Sequence, residues 1–441
     1  MKNIEDYLHK NSLIYPDKVA VVCNGMKWTY AQLWQQVENR AKELRKNGLL
    51  AGRPQIIRAS QSTDFLVTYF AIHLVGAVAV PLEASLPDEP YREIENVVTA
   101  SDIPAGSADI LFTTGTTGKS KGVIISHGTI MANAENLLEA QGYSHDLTFV
   151  INGPLNHIGS LSKIYPILLV GGTLHILEGM KDINAFFAVL NESCSKFATF
   201  LVPSSIRMLL MLSGKELQKC SDKFDFIETG AAPIAQSDME QLCKLLPNTR
   251  LYNTYASTET GIICTHNFNS DKCIAGCLGK PMKHSSIFIT EHGTVACQGK
   301  TLMTGYVGEP ELTASILRNG TLFTHDNGMI DSDGMLHLTG RADDVINVGG
   351  FKVSPVEIED VVMALPEVAD CVCVAVSHPV MGMVLKLLVV LNAGEVLEKK
   401  KIAQYIHSKL EAYKVPSIYE EVGSIQRTYN GKINRKFYRK Y

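Results

Sequence analysis

Two short apolar runs, Ala108 to Phe112 and Val123 to Ile125, bracket the stretch Thr113-Thr114-Gly115-Thr116-Thr117-Gly118-Lys119-Ser120-Lys121-Gly122. Each run has the length of a buried strand. Any fold this chain adopts must therefore carry a loop of hydroxyls, glycines and lysines at a strand end. Glycines there let backbone N–H groups turn toward a ligand, and four threonines and two lysines add donors and positive charge. A polyphosphate requires that donor set, although the stretch taken alone also fits a polar hairpin loop without a ligand. Spacing excludes the Walker pattern. Gly118-Lys119-Ser120 supplies its tail, but Thr113 occupies the leading glycine position, and an apolar run follows where a helix should begin.

A chain of 441 residues is too long for one ordinary core and suggests two or three domains. With 41 basic and 45 acidic residues the formal charge is −4, so no electrostatic footprint for nucleic acid is expected. Ten cysteines are scattered, some inside apolar runs such as Cys371-Val372-Cys373, which suits reduced thiols in a cytoplasmic protein. Cys273 and Cys277 have histidines nearby, but no second pair completes a metal-ligand set. The start, Met-Lys-Asn-Ile-Glu-Asp, is not that of a signal peptide. Phe65 to Leu82 is almost wholly apolar, yet Gly76 divides it, His73 interrupts it and Val78 to Leu82 is strand-like. A buried helix, a glycine turn and a buried strand are expected there, with no membrane span.

Along the chain, Val19 to Cys23 and Met26 to Thr29 flank Asn24-Gly25, the strongest short hairpin signal. Thr29 with Gln32 then forms a capping-box pattern, and Leu33, Val37, Ala41 and Leu44 mark the buried face of the helix that follows. Strands and helices continue to alternate through Gln55 to Ala59, Thr63 to Val75, Gly128 to Ala140, Thr148 to Asn152, Thr173 to Leu177, Ile183 to Asn191, Phe197 to Val202 and Pro203 to Leu212. This is the punctuation of an α/β fold. From Ser285 to Tyr306, short alternating runs suggest a small antiparallel sheet. After Pro355 the pattern becomes that of a separate α+β unit: helix to Leu365, strands Ala369 to Val376 and Val384 to Leu391, helix Lys399 to Ala412.

The loop Thr113 to Lys121 resembles the signature of the adenylate-forming family, which includes acyl-CoA synthetases, carrier-protein adenylation domains and luciferases, with Ser120 where proline is usual. Further segments resemble the same family in the same order. Pro154-Leu155-Asn156-His157-Ile158-Gly159 is similar to its Pro-Leu-Phe-His-x-x-Gly segment, which borders the acyl pocket; a lone histidine beside glycine is otherwise structural. Gly230-Ala231-Ala232-Pro233, after the strand Phe224 to Glu228, resembles the adenine-binding loop, and otherwise reads as a tight turn at the end of a strand where open sheets bind ligands. Tyr255-Ala256-Ser257-Thr258-Glu259 matches Tyr-Gly-x-Thr-Glu. It supplies an aromatic face, a hydroxyl and a carboxylate suited to a purine, a phosphate oxygen and Mg²⁺. Thr324-His325-Asp326 resembles the Thr-Gly-Asp segment, with Asp326 implied as the acceptor from ribose hydroxyls; an Asp in so Asp/Gly-rich a stretch is otherwise a turn former.

The run Gly340 to Glu359 is the most specific match. It implies Arg341 at the ribose or phosphates, Asp343 as the hinge between domains, and Gly349, Gly350 and Lys352 beside a pantetheine arm. Gly431-Lys432-Ile433 resembles the catalytic-lysine motif, with Gln426 where proline is customary, while Arg435 to Lys440 reads as a solvated basic tail. The connection from Leu86 to Ser107 is shorter than in typical members, so a piece of the N-terminal domain is expected to be absent.

The resemblance covers essentially the whole chain. It implies a large N-terminal domain over residues 1–342, with mixed sheets flanked by helices plus a small antiparallel sheet. A mobile α+β domain over residues 343–441 carries the lysine. The implied chemistry takes ATP, Mg²⁺ and coenzyme A. A small carboxylic acid attacks the α-phosphate, and a thiol then displaces AMP from the acyl-adenylate. Lys432, Glu259, Thr258 and His157 are the implied catalytic residues, and Thr113, Thr114, Gly115, Thr116, Thr117, Gly118 and Lys121 bind the phosphates, with Glu259 holding the metal. A carrier protein's phosphopantetheine is the alternative acceptor, and ATP binding without turnover the alternative of another class. Short o-succinylbenzoate–CoA ligases are also similar in length, although no residue read here selects that acid.

Overall fold

Asn24 and Gly25 adopt φ of 49° and 75°, the two left-handed residues that a two-residue hairpin turn of primed type needs. The strands Val19–Cys23 and Met26–Thr29 pair antiparallel across them. The capping box closes as the sequence requires: the Gln32 amide donates to Thr29 Oγ1 at 3.3 Å, and the Thr29 amide donates to Gln32 Oε1 at 2.9 Å. The helix Tyr30–Lys46 then buries Tyr30, Leu33, Val37 and Ala41. These local features belong to a computed structural model that describes residues 3–113, 120–180, 182–191, 196–270, 272–341, 344–348, 351–378, 382–428 and 431–438.

Most strands join one 14-stranded sheet. Its centre is parallel: Arg250–Ser257, Phe224–Gly230, Lys196–Leu201, Leu147–Ile151 and Thr173–Ile176 lie side by side, and Val19–Cys23 continues the array. Beyond Gly261–Asn267 the sheet becomes antiparallel through Cys277–Pro281, Leu336–Arg341, Thr321–Ile330, Thr294–Gly299 and Ser285–Ile289. The region expected to form a separate small sheet is thus continuous with the large one. A second, five-stranded sheet carries Pro54–Ala59, Val78–Glu83, Ser107–Thr113, Lys121–Ser126 and Gly305–Tyr306. Val78–Glu83 and Leu147–Ile151 are buried along nearly their whole length, which is why they read as near-continuous apolar runs rather than alternating ones.

The apolar stretch from Phe65 resolves into the helix Thr63–Val75, a left-handed Gly76 at φ 84° and the strand Val78–Glu83. No helix among the described residues is long and apolar enough to cross a membrane. Helices also lie where no periodic pattern is read, among them Ile4–Ile14 and Asp88–Ala100. The second occupies most of the short connection before Ser107.

Residues from Ile346 onward supply two cores of their own. One gathers Val353, Ile358, Val362, Leu387 and Ile402, and the other Val372, Val384, Ile425 and Tyr438. They line a sheet of Val368–His378, Gly382–Leu391 and Ile418–Glu421. This unit touches the rest through Arg207 Nη1, which donates to Ala369 O at 3.2 Å, and Ser354 Oγ, which donates to Thr339 O at 2.8 Å. The expected 342/343 boundary, with Asp343, lies outside the described residues.

At the base of the hydroxyl-rich loop, Gly122 pairs with Phe112 across the sheet. A Cβ at Gly122 would stand 2.5 Å from Val307 Cγ1, 2.8 Å from Phe112 Cζ and 2.9 Å from Ile110 Cγ2. Those three side chains cannot all withdraw in a close-packed interior. Gly122→Ala should therefore destabilise the protein by about 1–3 kcal/mol, read as a fall in the urea midpoint; an unchanged midpoint would show that the strand exit is not so tightly packed.

Candidate active site

Both ends of the hydroxyl-rich loop are fixed by the sheet. The Ser120 hydroxyl donates to Thr113 O at 2.9 Å, and Lys121 opens the following strand with its ammonium 5.5 Å from the centre of the Tyr306 ring, within cation–π range. The Tyr306 hydroxyl in turn donates to Glu259 Oε1 at 3.0 Å, and the Met303 amide donates to Glu259 O at 2.8 Å. Burial and the adjacent Glu259 raise the Tyr306 phenol well above its ordinary pKa, so it remains a donor. Tyr306 thus joins the loop's exit to the carboxylate expected to hold Mg²⁺. Thr114, Gly115, Thr116, Thr117 and Gly118 lie outside the described residues.

A second carboxylate is held in the same manner. Tyr255 is buried at the end of Arg250–Ser257, and its hydroxyl donates to Asp326 Oδ2 at 2.7 Å. Burial and Asp326 raise its pKa. Arg341 faces Asp326 across the pair Thr321–Ile330 and Leu336–Arg341, with Nε 3.8 Å from Oδ1. The sequence suggests a turn at Asp326, but the residue lies within a ten-residue strand. The turn comes later, at Ser332 and Asp333, because Asp331 Oδ1 accepts the amides of Asp333 and Met335. Thr258 is buried in the turn between Arg250–Ser257 and Gly261–Asn267.

Gly230 ends its strand directly beside Thr254. A Cβ there would lie 2.7 Å from Thr254 O, so only glycine permits the close approach. Ala231 then takes φ 68°, uncommon for a residue with a side chain, and Ala232 follows it partly exposed. The ring of Phe200 lies between this loop and the His157 turn, 3.6 Å from a Cβ built at Gly230 and 3.2 Å from one built at Gly159. Phe200 and Tyr306 are site neighbours that the sequence does not single out. Each reads only as one more aromatic in a strand.

His157 caps the helix Ile158–Val170, its Nδ1 accepting the Gly159 amide at 3.1 Å. Burial, aided by the charge of Lys432, lowers its pKa to about 4. Lys432 comes from the far end of the chain. Gly431, at φ 80°, packs so closely on Val202 and Ser204 that a Cβ would lie 2.9 Å from Ser204 Oγ. The Lys432 side chain keeps a solvent-accessible surface, yet enclosure by the surrounding protein lowers its pKa. Arg341 lowers it further, while Asp326 and Glu259 pull the other way. His157, Glu259, Asp326 and Arg341 are thus each within electrostatic reach of Lys432. Lys352 lies in the strand Phe351–Val353, opposite Asn347; Gly349 and Gly350 lie outside the described residues.

Comparison with known proteins places this arrangement. The AMP-binding enzyme family matches residues 8–105 and 104–307, and its C-terminal domain matches residues 357–432. The chain belongs to the AMP-binding enzyme family. Among curated relatives, a 2-succinylbenzoate–CoA ligase of Bacillus cereus is 25% identical over 494 aligned positions, covering 99% of this chain and 98% of the relative. That alignment is longer than the chain, so the relative holds positions this one lacks. A feruloyl-CoA synthase of Amycolatopsis is 26% identical over 476 positions, covering 95% and 94%. Among solved structures, ATP-bound MatB from Rhodopseudomonas palustris superposes with a TM-score of 0.87 at 22% identity, over 99% of this chain and 98% of that one. The o-succinylbenzoate CoA synthetase MenE of Bacillus subtilis, in complex with its acyl-adenylate, gives 0.86 at 22% identity, over 98% and 97%.

In this member of the family His157 should be neutral at physiological pH. Its protonation is deferred from the ordinary value near 6.5 to about 4. The unfolded chain therefore binds the proton first, and the stability this residue contributes above pH 6.5 is lost as the pH falls toward 4. An NMR titration of the imidazole should give a midpoint near 4; a midpoint near 6.5 would show His157 to be freely hydrated.

Proposed function

We propose that the enzyme activates a carboxylic acid with ATP and transfers the acyl group to the thiol of coenzyme A. The convergence of Lys432 with Glu259, Asp326 and His157 carries this reading. A carboxylate is a poor electrophile. Its oxygen attacks the α-phosphorus of ATP, the bond to pyrophosphate breaks, and the acid becomes an acyl-adenylate with a good leaving group. Negative charge gathers on the α-phosphate and the incoming carboxylate, and the Lys432 ammonium offsets it in a partly enclosed cleft where such interactions are strong. The thiol sulfur then bonds to the acyl carbon, and AMP departs with the bonding pair.

The donor set fits the nucleotide. Asp326, fixed by Tyr255 and flanked by Arg341, accepts from the ribose hydroxyls. The loop Gly230 to Ala232 lets the adenine lie against backbone, and Thr113 to Lys121 hold the phosphates beside Thr258. Glu259 is a hard oxygen ligand of the kind Mg²⁺ takes, held by Tyr306 at the loop's exit. When bound, Mg²⁺ neutralises polyphosphate charge. Neutral His157, anchored by the Gly159 amide, borders the acid without adding a charge. The Gly349 to Lys352 segment borders the pantetheine arm in the second step, after the C-terminal unit turns about Asp343.

Free coenzyme A is favoured over a carrier protein because the curated relatives that match nearly the whole chain are CoA ligases. Their aromatic acids make an aryl or arylpropenoyl acid the first substrate class to try. ATP–pyrophosphate exchange across aryl, short-chain and medium-chain acids, followed by a chase with coenzyme A, tests the reading. Acid-dependent exchange and thioester release are expected; nucleotide binding without exchange for any acid would contradict it. Lys432→Ala should lower adenylation roughly 10²–10³-fold while leaving thioester formation from a supplied acyl-adenylate largely intact. Equal loss of both half-reactions would refute the assignment of Lys432 to the first.

A further inference from the structure

Away from the nucleotide site, the helices Ile4–Ile14, Thr63–Val75 and His127–Gln141 bring a polar cluster against the strand Ser107–Thr113. His73 lies fully buried at its centre. Nδ1 stands 2.6 Å from Glu5 Oε1, and Nε2 stands 2.9 Å from Asp109 Oδ1. The Tyr69 hydroxyl donates to Asp109 Oδ2 at 2.8 Å, and the Tyr165 hydroxyl lies 2.8 Å from that of Tyr69. His127 packs edge-on against His73, with ring centres 5.1 Å apart.

An imidazolium at His73 between two carboxylates accounts for only part of this. Burial disfavours its charge, but Glu5 and Asp109 outweigh burial and raise its pKa to about 10. Two carboxylates against one cation still leave a negative charge in the interior. Glu5 Oε2 and His127 Nδ1, both buried atoms, have no hydrogen-bond partner among the described residues. Buried polar atoms left unpaired are costly and call for an explanation.

The geometry points to a buried zinc-type cation site formed by His73, His127 and the Glu5 carboxylate, each of which offers one ligand atom within 4.8 Å of the others; Nδ1 is the His73 nitrogen that faces Glu5 and the His127 nitrogen left without a partner among the described residues. Two imidazoles and one carboxylate suit Zn²⁺ rather than Mg²⁺ or Ca²⁺. On binding, the His73 Nδ1 proton leaves to solvent, while the proton on Nε2 stays on the imidazole and is donated to the Asp109 carboxylate. Asp109 then orients the metal-bound imidazole and is itself held by Tyr69, the supporting arrangement that metal-ligating histidines almost always have. The two positive charges of the ion balance Glu5 and Asp109. Such an ion would fasten three helices to the strand that leads into Thr113, independently of the nucleotide chemistry.

The test uses full-length enzyme stripped with chelator, exposed to zinc alone and freed of excess by gel filtration, with retained metal measured by mass spectrometry and zinc affinity by calorimetry. Wild type should retain one zinc more than His127→Ala and show a zinc-dependent rise in Tm that the variant lacks; Mg²⁺ should give no such rise. His127→Ala leaves the Glu5–His73–Asp109 contacts in place, so its folding is spared, and zinc on cysteines elsewhere cancels in the comparison. Asp109→Asn should weaken zinc binding roughly 10–100-fold. Equal zinc retention by wild type and His127→Ala, including none by either, overturns the proposal.

Discussion

Burial and Arg341 lower the pKa of the Lys432 ammonium, while Asp326 and Glu259 oppose that shift. The proposed site depends on this balance. The lysine is brought from the C-terminal unit by Gly431 packing on Val202 and Ser204, whereas the two carboxylates sit on separate parts of the large sheet. Anionic phosphates entering between them would add the attraction that the protein by itself supplies only partly.

Each carboxylate would be free to swing onto the lysine were it not held elsewhere. Tyr255 holds Asp326 and Tyr306 holds Glu259, both through hydroxyl donors whose pKa is raised. A phenol is well suited to this: it donates one directed hydrogen bond, adds no charge, and its ring packs into the sheet. Tyr306 also carries the Lys121 ammonium on its ring face, so the loop's exit, the carboxylate and the short strand Gly305–Tyr306 are linked through one side chain. His157 and the Phe200 ring lie beside Gly159 and Gly230, the wall proposed to border the acid.

Local rules made much of this legible. The Asn24-Gly25 turn, the Thr29 cap and the helix–Gly76–strand sequence depend on neighbours in sequence, and they appear where propensity places them. The motif residues could be read because each matches a short pattern. What could not be read depends on contacts between distant segments. The helix Asp88–Ala100 buries only Ile94 and Val98, too few positions to announce a period. Asp326 sits in a composition that signals a turn, yet strand pairing with Leu336–Arg341 overrides it. The partnership of Tyr306 with Glu259 spans 47 positions, and that of His73 with Glu5 spans 68. His73 reads in sequence only as an interruption of an apolar run.

The proposal stands on Lys432 offsetting charge at the α-phosphate and the acid while Asp326 holds the ribose. A crystal structure with an acyl-sulfamoyl adenosine, a stable mimic of the adenylate, tests it most directly. The account requires the Lys432 ammonium at hydrogen-bond distance from the sulfamoyl or acyl oxygens, about 2.7–3.2 Å, with Asp326 accepting from the ribose hydroxyls. A ligand seated away from Asp326, or bound there with the Lys432 ammonium directed out of the cleft, would contradict it.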